Sequence, residues 1–226
     1  MTQEKPKKKL LVLSWLLVGA GILLAIVGGT LAWRQWQDNK KTDRYVAQQH
    51  FRANHGHASS DNPSTVKPSA DTFANWQVDA NEPRYLFIPK IGVKAIVRPT
   101  GLTGDGAIGT PNNIFDTDWY VGSAKPGQAG AMLIDGHVSW GTNGVFYNLK
   151  KLQPGDAITV QRGDDIQLTY RVVRTHTYPA DAVDMKQVLS PVTAGKPGLN
   201  LITCTGDIVK NGTTFDHRIV VFAEQL

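Results

Sequence analysis

Residues 199–223 read LNLITCTGDIVKNGTTFDHRIVVFA, two apolar, β-branched runs separated by a loop rich in Gly, Asn, Asp and Thr. Each run has the length of one strand, and the loop supplies glycine where the backbone must reverse, so the pair reads as adjacent antiparallel strands. Cys204, the single cysteine of the chain, closes the first run, and Arg218 opens the second. The same texture continues upstream as far as Pro83. YLFI at 85–88, AIV at 95–97, AMLI at 131–134, AITV at 157–160 and LTYRVV at 168–173 are strand-like in length and composition. QRGDD at 161–165 joins two of them as a hairpin. Seven or eight short strands predict an all-β fold, closed into a barrel or sandwich because open edges invite pairing with other chains. Short helical pieces are expected at 146–152 and 181–189.

The rest of the chain divides by composition. Its 226 residues are 41% apolar and 19% charged, which suits one moderate domain. Lys5, Lys7, Lys8 and Lys9 face only Glu4 in residues 1–9, so much of the net charge of +5 sits in this basic cytoplasmic tail. No stripe of Lys and Arg interleaved with aromatics follows it, which excludes nucleic acid as a partner class. Residues 10–33, LLVLSWLLVGAGILLAIVGGTLAW, contain no charge. At about 1.5 Å per residue they predict a transmembrane helix, longer than the apolar core of a signal peptide. Arg34, Lys40, Lys41 and Arg44 nearly balance the tail, but its compact lysine block favours a cytoplasmic N-terminus and an extracellular C-terminal domain. Residues 34–81, polar and centred on Ser, Asn, Asp and Pro, read as an extracellular stalk, and residues 82–226 as the β domain. Within the stalk, ADTFANW at 70–76 is an acidic and aromatic stretch that could fold over a groove as a lid.

One cysteine leaves no disulfide framework and no zinc site of several cysteines. A lone thiol is either core packing or a nucleophile. His137 follows the run ending at Ile134 and sits beside Gly136, again at a strand end; His176 and His217 are rival bases. In a strand, His217 and Arg218 would face opposite sides. A Cys, a His and an Arg at strand ends make a minimal set for acyl transfer: nucleophile, proton carrier, and cation for the oxyanion.

LITC at 201–204 resembles the Thr-Leu-x-Thr-Cys signature of the sortases, with Asn200 standing where the signature has its first Thr. IDGH at 134–137 is similar to the segment holding that family's catalytic histidine, and DHRIVV at 216–221 to the strand bearing its arginine. The resemblance implies a sortase β-barrel of about eight strands behind an N-terminal membrane anchor, on a Gram-positive surface. It implies Cys204 as nucleophile, His137 as acid and base, Arg218 as oxyanion or substrate contact, and Thr203 as a lesser member of the pocket. The loop over residues 177–198 would wall the groove, with Ala182, Val183 and Leu189 as apolar contacts. The substrates implied are surface proteins with a Leu-Pro-x-Thr-Gly-like sorting signal and an amine acceptor, either a lipid-linked peptidoglycan precursor or a pilin lysine. No cofactor is implied, and no metal is expected, since Asp181 and Asp184 are the only carboxylates of that loop. The sequence shows no second apolar span after the last strand, so the expected type is housekeeping-like or class D, E or F-like rather than a pilin polymerase with a C-terminal span. Two alternatives remain: a related cysteine peptidase using water as acceptor, and a membrane-tethered barrel that binds peptide or glycan with Cys204 as a core thiol.

Overall fold

A computed structural model of the chain describes residue 30, residues 62–209 and residues 214–226. The basic tail, the apolar span (residue 30 apart) and the stalk as far as residue 61 lie outside the described residues. Among those described, no helix is long and apolar enough to cross a membrane.

Eight strands are formed: β1 (Pro83–Ile88), β2 (Val93–Thr100), β3 (Thr117–Tyr120), β4 (Ala131–Gly136), β5 (Ala157–Arg162), β6 (Gln167–Pro179), β7 (Gly198–Ile208) and β8 (Phe215–Gln225). They close into a barrel in the order β1-β2-β3-β4-β7-β8-β6-β5, which leaves no strand edge unpaired. β2 with β3 and β4 with β7 are parallel; the other neighbours are antiparallel.

Alternate residues fill the barrel, among them Leu86, Ile88, Val97, Ile134, Val160, Leu201 and Val221, with Trp119 and Phe146 at the same core. A second cluster lies on the outer face: Leu133, Tyr178, Val188, Val220 and Phe222. It is roofed by residues 180–197, whose short helix α2 (Met185–Val188) is capped by Asp184 Oδ1 accepting from Gln187 N at 3.0 Å. β4, β7 and β8 are therefore apolar on both sides, which is why AMLI and IVVF are continuous runs rather than alternating ones.

The strands exceed the sequence reading in places. β3 contains Thr117 and Asp118, both buried, and a polar pair of that kind carries no strand signal; Thr117 Oγ1 donates to Ile96 O at 3.0 Å. β7 runs past Cys204, and β8 starts at Phe215, ahead of Arg218. The helical piece expected at 146–152 is a single 3₁₀ turn, Leu149–Lys151.

The described end of the stalk lies against the barrel. Helix α1 (Ala70–Ala74) is capped by Ser69, whose side chain accepts from Thr72 N. Phe73 stacks on Tyr85 with ring centroids 4.3 Å apart, and the Tyr85 hydroxyl donates to Phe73 O. Trp76 Nε1 donates to Val97 O at 3.1 Å, under the Arg98 guanidinium 4.4 Å from its ring centroid. The aromatics of 70–76 thus seat on β1 and β2, across the barrel from β7 and β8.

Candidate active site

Strand register assembles the site. Cys204 on β7 pairs with Arg218 on β8, and Arg218 pairs in turn with Tyr178 on β6. On the other side of β7, the parallel ladder to β4 ends at Asp135 opposite Ile202. Thr203 Oγ1 donates to Gly136 O at 2.6 Å and carries that register one residue further, which brings His137 level with Cys204. His137, Cys204, Arg218 and Tyr178 therefore form a row across four neighbouring strands. Leu133, Tyr178 and Val220 face outward, so steps of two residues put Asp135, His137 and Arg218 on that outer face. Sequence proximity plays no part in this; pairing of distant strands does.

His137 Nε2 lies 2.7 Å from the carbonyl oxygen of Pro111. A carbonyl only accepts, so Nε2 carries the proton and Nδ1 is the nitrogen left to exchange one. The Arg218 guanidinium is held by its own strand: Nη1 donates to Phe215 O and His217 O, both at 2.9 Å, and Nη2 to Thr214 Oγ1 at 3.3 Å. Among the described residues Nε and one hydrogen of Nη2 take no partner, which leaves them for an anionic ligand. Cys204 is half-buried. Burial pushes its thiol above the ordinary value, Arg218 opposes that, and the Asp135 carboxylate reinforces it. Burial also raises the Asp135 carboxyl, against the pull of His137 and Arg218. Its register partner Asp118 is pushed up to about 8, by burial first and then by the charge of Asp135.

A cleft of about 130 Å³ opens beside Cys204, lined by Thr203, Gly206, Tyr147, Lys150 and Phe215 among others. β7 bulges between Thr205 and Ile208. Gly206 has φ +87, and a Cβ there would come within 2.1 Å of Asp216 Oδ1, so this position requires glycine. Asp216 Oδ1 accepts from Asp207 N at 2.9 Å and meets His217 Nδ1 at 2.7 Å. That engages His217 on the strand face opposite Arg218. His176 is exposed, edge-on to the Tyr178 ring at 4.4 Å and level with Val220 rather than Arg218. Neither rival histidine joins the row. Among the described residues no group of three or more His, Cys, Asp and Glu is placed to hold a metal ion.

The roof loop uses its apolar residues unevenly. Val183 packs into the outer cluster, whereas Ala182 is exposed and Leu189 is 37% exposed. Thr203 is buried, its hydroxyl on Gly136. Asn200 is fully buried, and its Nδ2 donates to Val188 O at 2.7 Å and Ser190 O at 3.0 Å, tying the roof to β7. The departure from the signature is therefore a fastening between strand and loop. Sequence reasoning passed over Asp135, Tyr178 and the Pro111 carbonyl. Asp135 was findable by the two-residue period from His137; nothing local marks Pro111.

Comparison with known proteins follows the same lines. A family model described as the Sortase domain matches residues 86–226, well over half of the chain. No curated protein matches. Among solved structures, the pilus-related Sortase C of Group B Streptococcus is similar at 20% identity and a TM-score of 0.51, covering 83% of this chain and 90% of that one. Sortase A from Corynebacterium diphtheriae is similar at 19% identity and a TM-score of 0.51, covering 82% and 84%. At such identities the structures speak for the fold, and the family model speaks for descent. A closed barrel in this strand order, matched by that model from β1 to its last residue, belongs to the sortase family of cysteine transpeptidases.

Proposed function

We propose that Cys204 is the nucleophile of a transpeptidase that cuts a Leu-Pro-x-Thr-Gly-like sorting signal between Thr and Gly, with His137 and Arg218 as its partners. The observation that carries the reading is the row of register-matched residues with Cys204 between His137 and Arg218. The Cys204 thiolate adds to the threonine carbonyl carbon, and Arg218 donates its remaining N–H groups to the oxyanion or to the substrate backbone. As the carbon–nitrogen bond breaks, the departing glycine amine takes a proton from His137 Nδ1, leaving a thioacyl enzyme and neutral imidazole. An acceptor amine then attacks the thioester and gives its proton back to Nδ1. Cys204 leaves as thiolate, and a new amide joins the substrate protein to the acceptor.

The raised thiol fits this cycle. Arg218 offsets part of that rise, and His137 Nδ1 takes the thiol proton as the thiolate forms, giving the thiolate–imidazolium pair that the cycle uses. Val183 and Leu189, with Ala182 at the loop's outer edge, form the wall against which the signal lies, and Thr203 backs Cys204. The acceptor is an amine such as that of a lipid-linked peptidoglycan precursor or a pilin lysine. In the cell, residues 10–33 anchor the chain in the membrane, residues 1–9 stay cytoplasmic, and residues 34–81 hold the catalytic domain 82–226 on the outer face.

The test is a transpeptidation assay on the full chain in detergent, with a panel of quenched Leu-Pro-x-Thr-Gly peptides and an amine acceptor, read by mass spectrometry. Acceptor-joined product with wild type and none with Cys204→Ala is the expected result. Hydrolysed product alone identifies a peptidase. A Cys204→Ala variant that still cleaves removes the thiol from the mechanism.

A further inference from the structure

The candidate base does not hold its own orientation. Its ring is fixed by a backbone carbonyl twenty-six residues upstream, at Pro111, which is buried. The segment carrying Pro111 is clamped from outside the barrel. Ser64 forms a parallel bridge with Asn113. Ser64 N donates to Asn112 O at 2.8 Å, and Ile114 N donates to Ser64 O at 3.0 Å. Asn113 Nδ2 donates to Val66 O at 2.9 Å, while its Oδ1 accepts from Phe115 N at 2.9 Å. Pro63, next to the bridge, is buried.

The chain of bonds continues to the histidine by a second route. Val145 N donates to Ile114 O at 2.7 Å, and Phe146 N donates to His137 O at 2.9 Å. Ile114 is fully buried between these two connections. The imidazole is thus linked through Pro111, and its own backbone through Ile114, Val145 and Phe146, to one short stretch ahead of the barrel.

We propose that residues 63–66 are a positioning strap for His137, clamping the 111–114 segment so that the Pro111 carbonyl holds the imidazole with Nδ1 toward Cys204. The proposal rests on the reading of His137 as proton carrier. A carbonyl in this place does what a buried carboxylate does in other triads, fixing tautomer and ring plane without adding charge. The strap makes the segment joining membrane anchor to barrel part of the catalytic geometry. A chain cut at residue 82 would fold its strands and still lose the alignment.

The test needs no sorting signal. Alkylation of Cys204 by iodoacetamide is followed against pH on the full chain in detergent, where the rate near neutrality reports how far imidazolium draws out the thiolate. The charged and titratable groups around the thiol are Asp135 from β4, His137 just past its end, Arg218 from β8, and Tyr147 and Lys150 across the cleft. His137→Ala sets the reference profile. Ser64→Pro removes the N–H given to Asn112. Asn113→Asp keeps the bond to Phe115 N and loses the donor to Val66 O. Ser64→Ala keeps both backbone bonds to the 111–114 segment, gives up only the 3.2 Å bond from Val66 N to Ser64 Oγ within the strap itself, and serves as control.

The expected result is that Ser64→Pro and Asn113→Asp lower the rate at pH 7 about three- to tenfold, toward the His137→Ala profile, with thermal unfolding near wild type and Ser64→Ala unchanged. A shift in His137→Ala with wild-type profiles in both strap variants overturns the strap and leaves the proton carrier standing. No shift in His137→Ala overturns the proton carrier, and the strap with it. If Ser64→Pro unfolds, Asn113→Asp decides.

Discussion

Asp118 shows how burial sets the charge of this site. Its carboxyl is 3% exposed, with one oxygen lacking a hydrogen-bond partner, and it faces Asp135 across the β3–β4 ladder. Two carboxylates so placed resist ionising together, and the deeper one keeps its proton to about 8. In the unfolded chain that proton leaves near pH 4. From there upward the folded state holds a proton that the unfolded state has lost, so this residue's contribution to stability declines with rising pH until about 8. Asp118→Asn removes the decline. Urea unfolding at pH 8 is expected to show the variant more stable by about 2–4 kcal/mol, and at pH 4 the two should coincide. Such a residue is retained at a cost in stability. A proton parked on Asp118 leaves the single charge of Asp135 to act on His137, Cys204 and Arg218. None of this is legible in TDWY, where Asp118 reads as a solvated loop residue. Cys204, His137 and Arg218 stood out in the sequence because each lies beside an apolar run, and strand register brings the three together.

At the scale of the element, the roof over residues 180–197 covers the outer apolar cluster and is fastened at two points along its course. Asn200 holds the carbonyls that end α2, and Glu224 accepts from Thr193 Oγ1 at 2.7 Å, Lys196 Nζ at 3.1 Å and Arg171 Nη2 at 2.9 Å. Those donors, Thr193 foremost, hold the Glu224 carboxyl down to about 2, so the second fastening is complete above the ordinary glutamate range and is lost as pH falls toward 2. Asn200→Ala leaves the buried Val188 carbonyl and the part-buried Ser190 carbonyl without their donor and is expected to destabilise the domain by about 1–3 kcal/mol. The more telling readout is local. Amides of residues 185–190 should exchange faster in the variant, and KM for the sorting peptide should rise while kcat changes little. Unchanged exchange there would mean the roof is held by its apolar cluster alone. Sequence marked residues 177–198 as a segment too long for a bare turn, and its role as a groove wall came from the resemblance alone. It could not tell which residue anchors it, since an Asn in mid-strand looks like a weak point until the carbonyls above it are seen.

At the scale of the whole molecule, the barrel and the segment ahead of it are one packed unit from residue 63 onward. Trp76 is half-buried between Val97 and Arg98, so Trp76→Ala should cost about 1–3 kcal/mol in unfolding free energy, and an unaltered midpoint in urea would show that the docked 70–76 segment adds nothing to stability. The strands were legible where both faces are apolar and hidden where one face carries buried polar groups, as in β3. The stalk composition concealed its last twenty residues in the same way, because Pro, Ser and Asn stand between the few aromatics that dock. The parallel pairing of β4 with β7 has a kinetic consequence. It joins residues sixty-seven positions apart, with β5, β6 and the roof threaded between them. Loop closure over such a separation is an entropic barrier that local contacts do not lower, so this ladder belongs among the late steps of folding. Until it forms, Cys204 has Arg218 beside it across the β7–β8 hairpin but not His137. A half-folded chain therefore carries the thiol and its guanidinium without the imidazole, and the row is completed only when the barrel shuts.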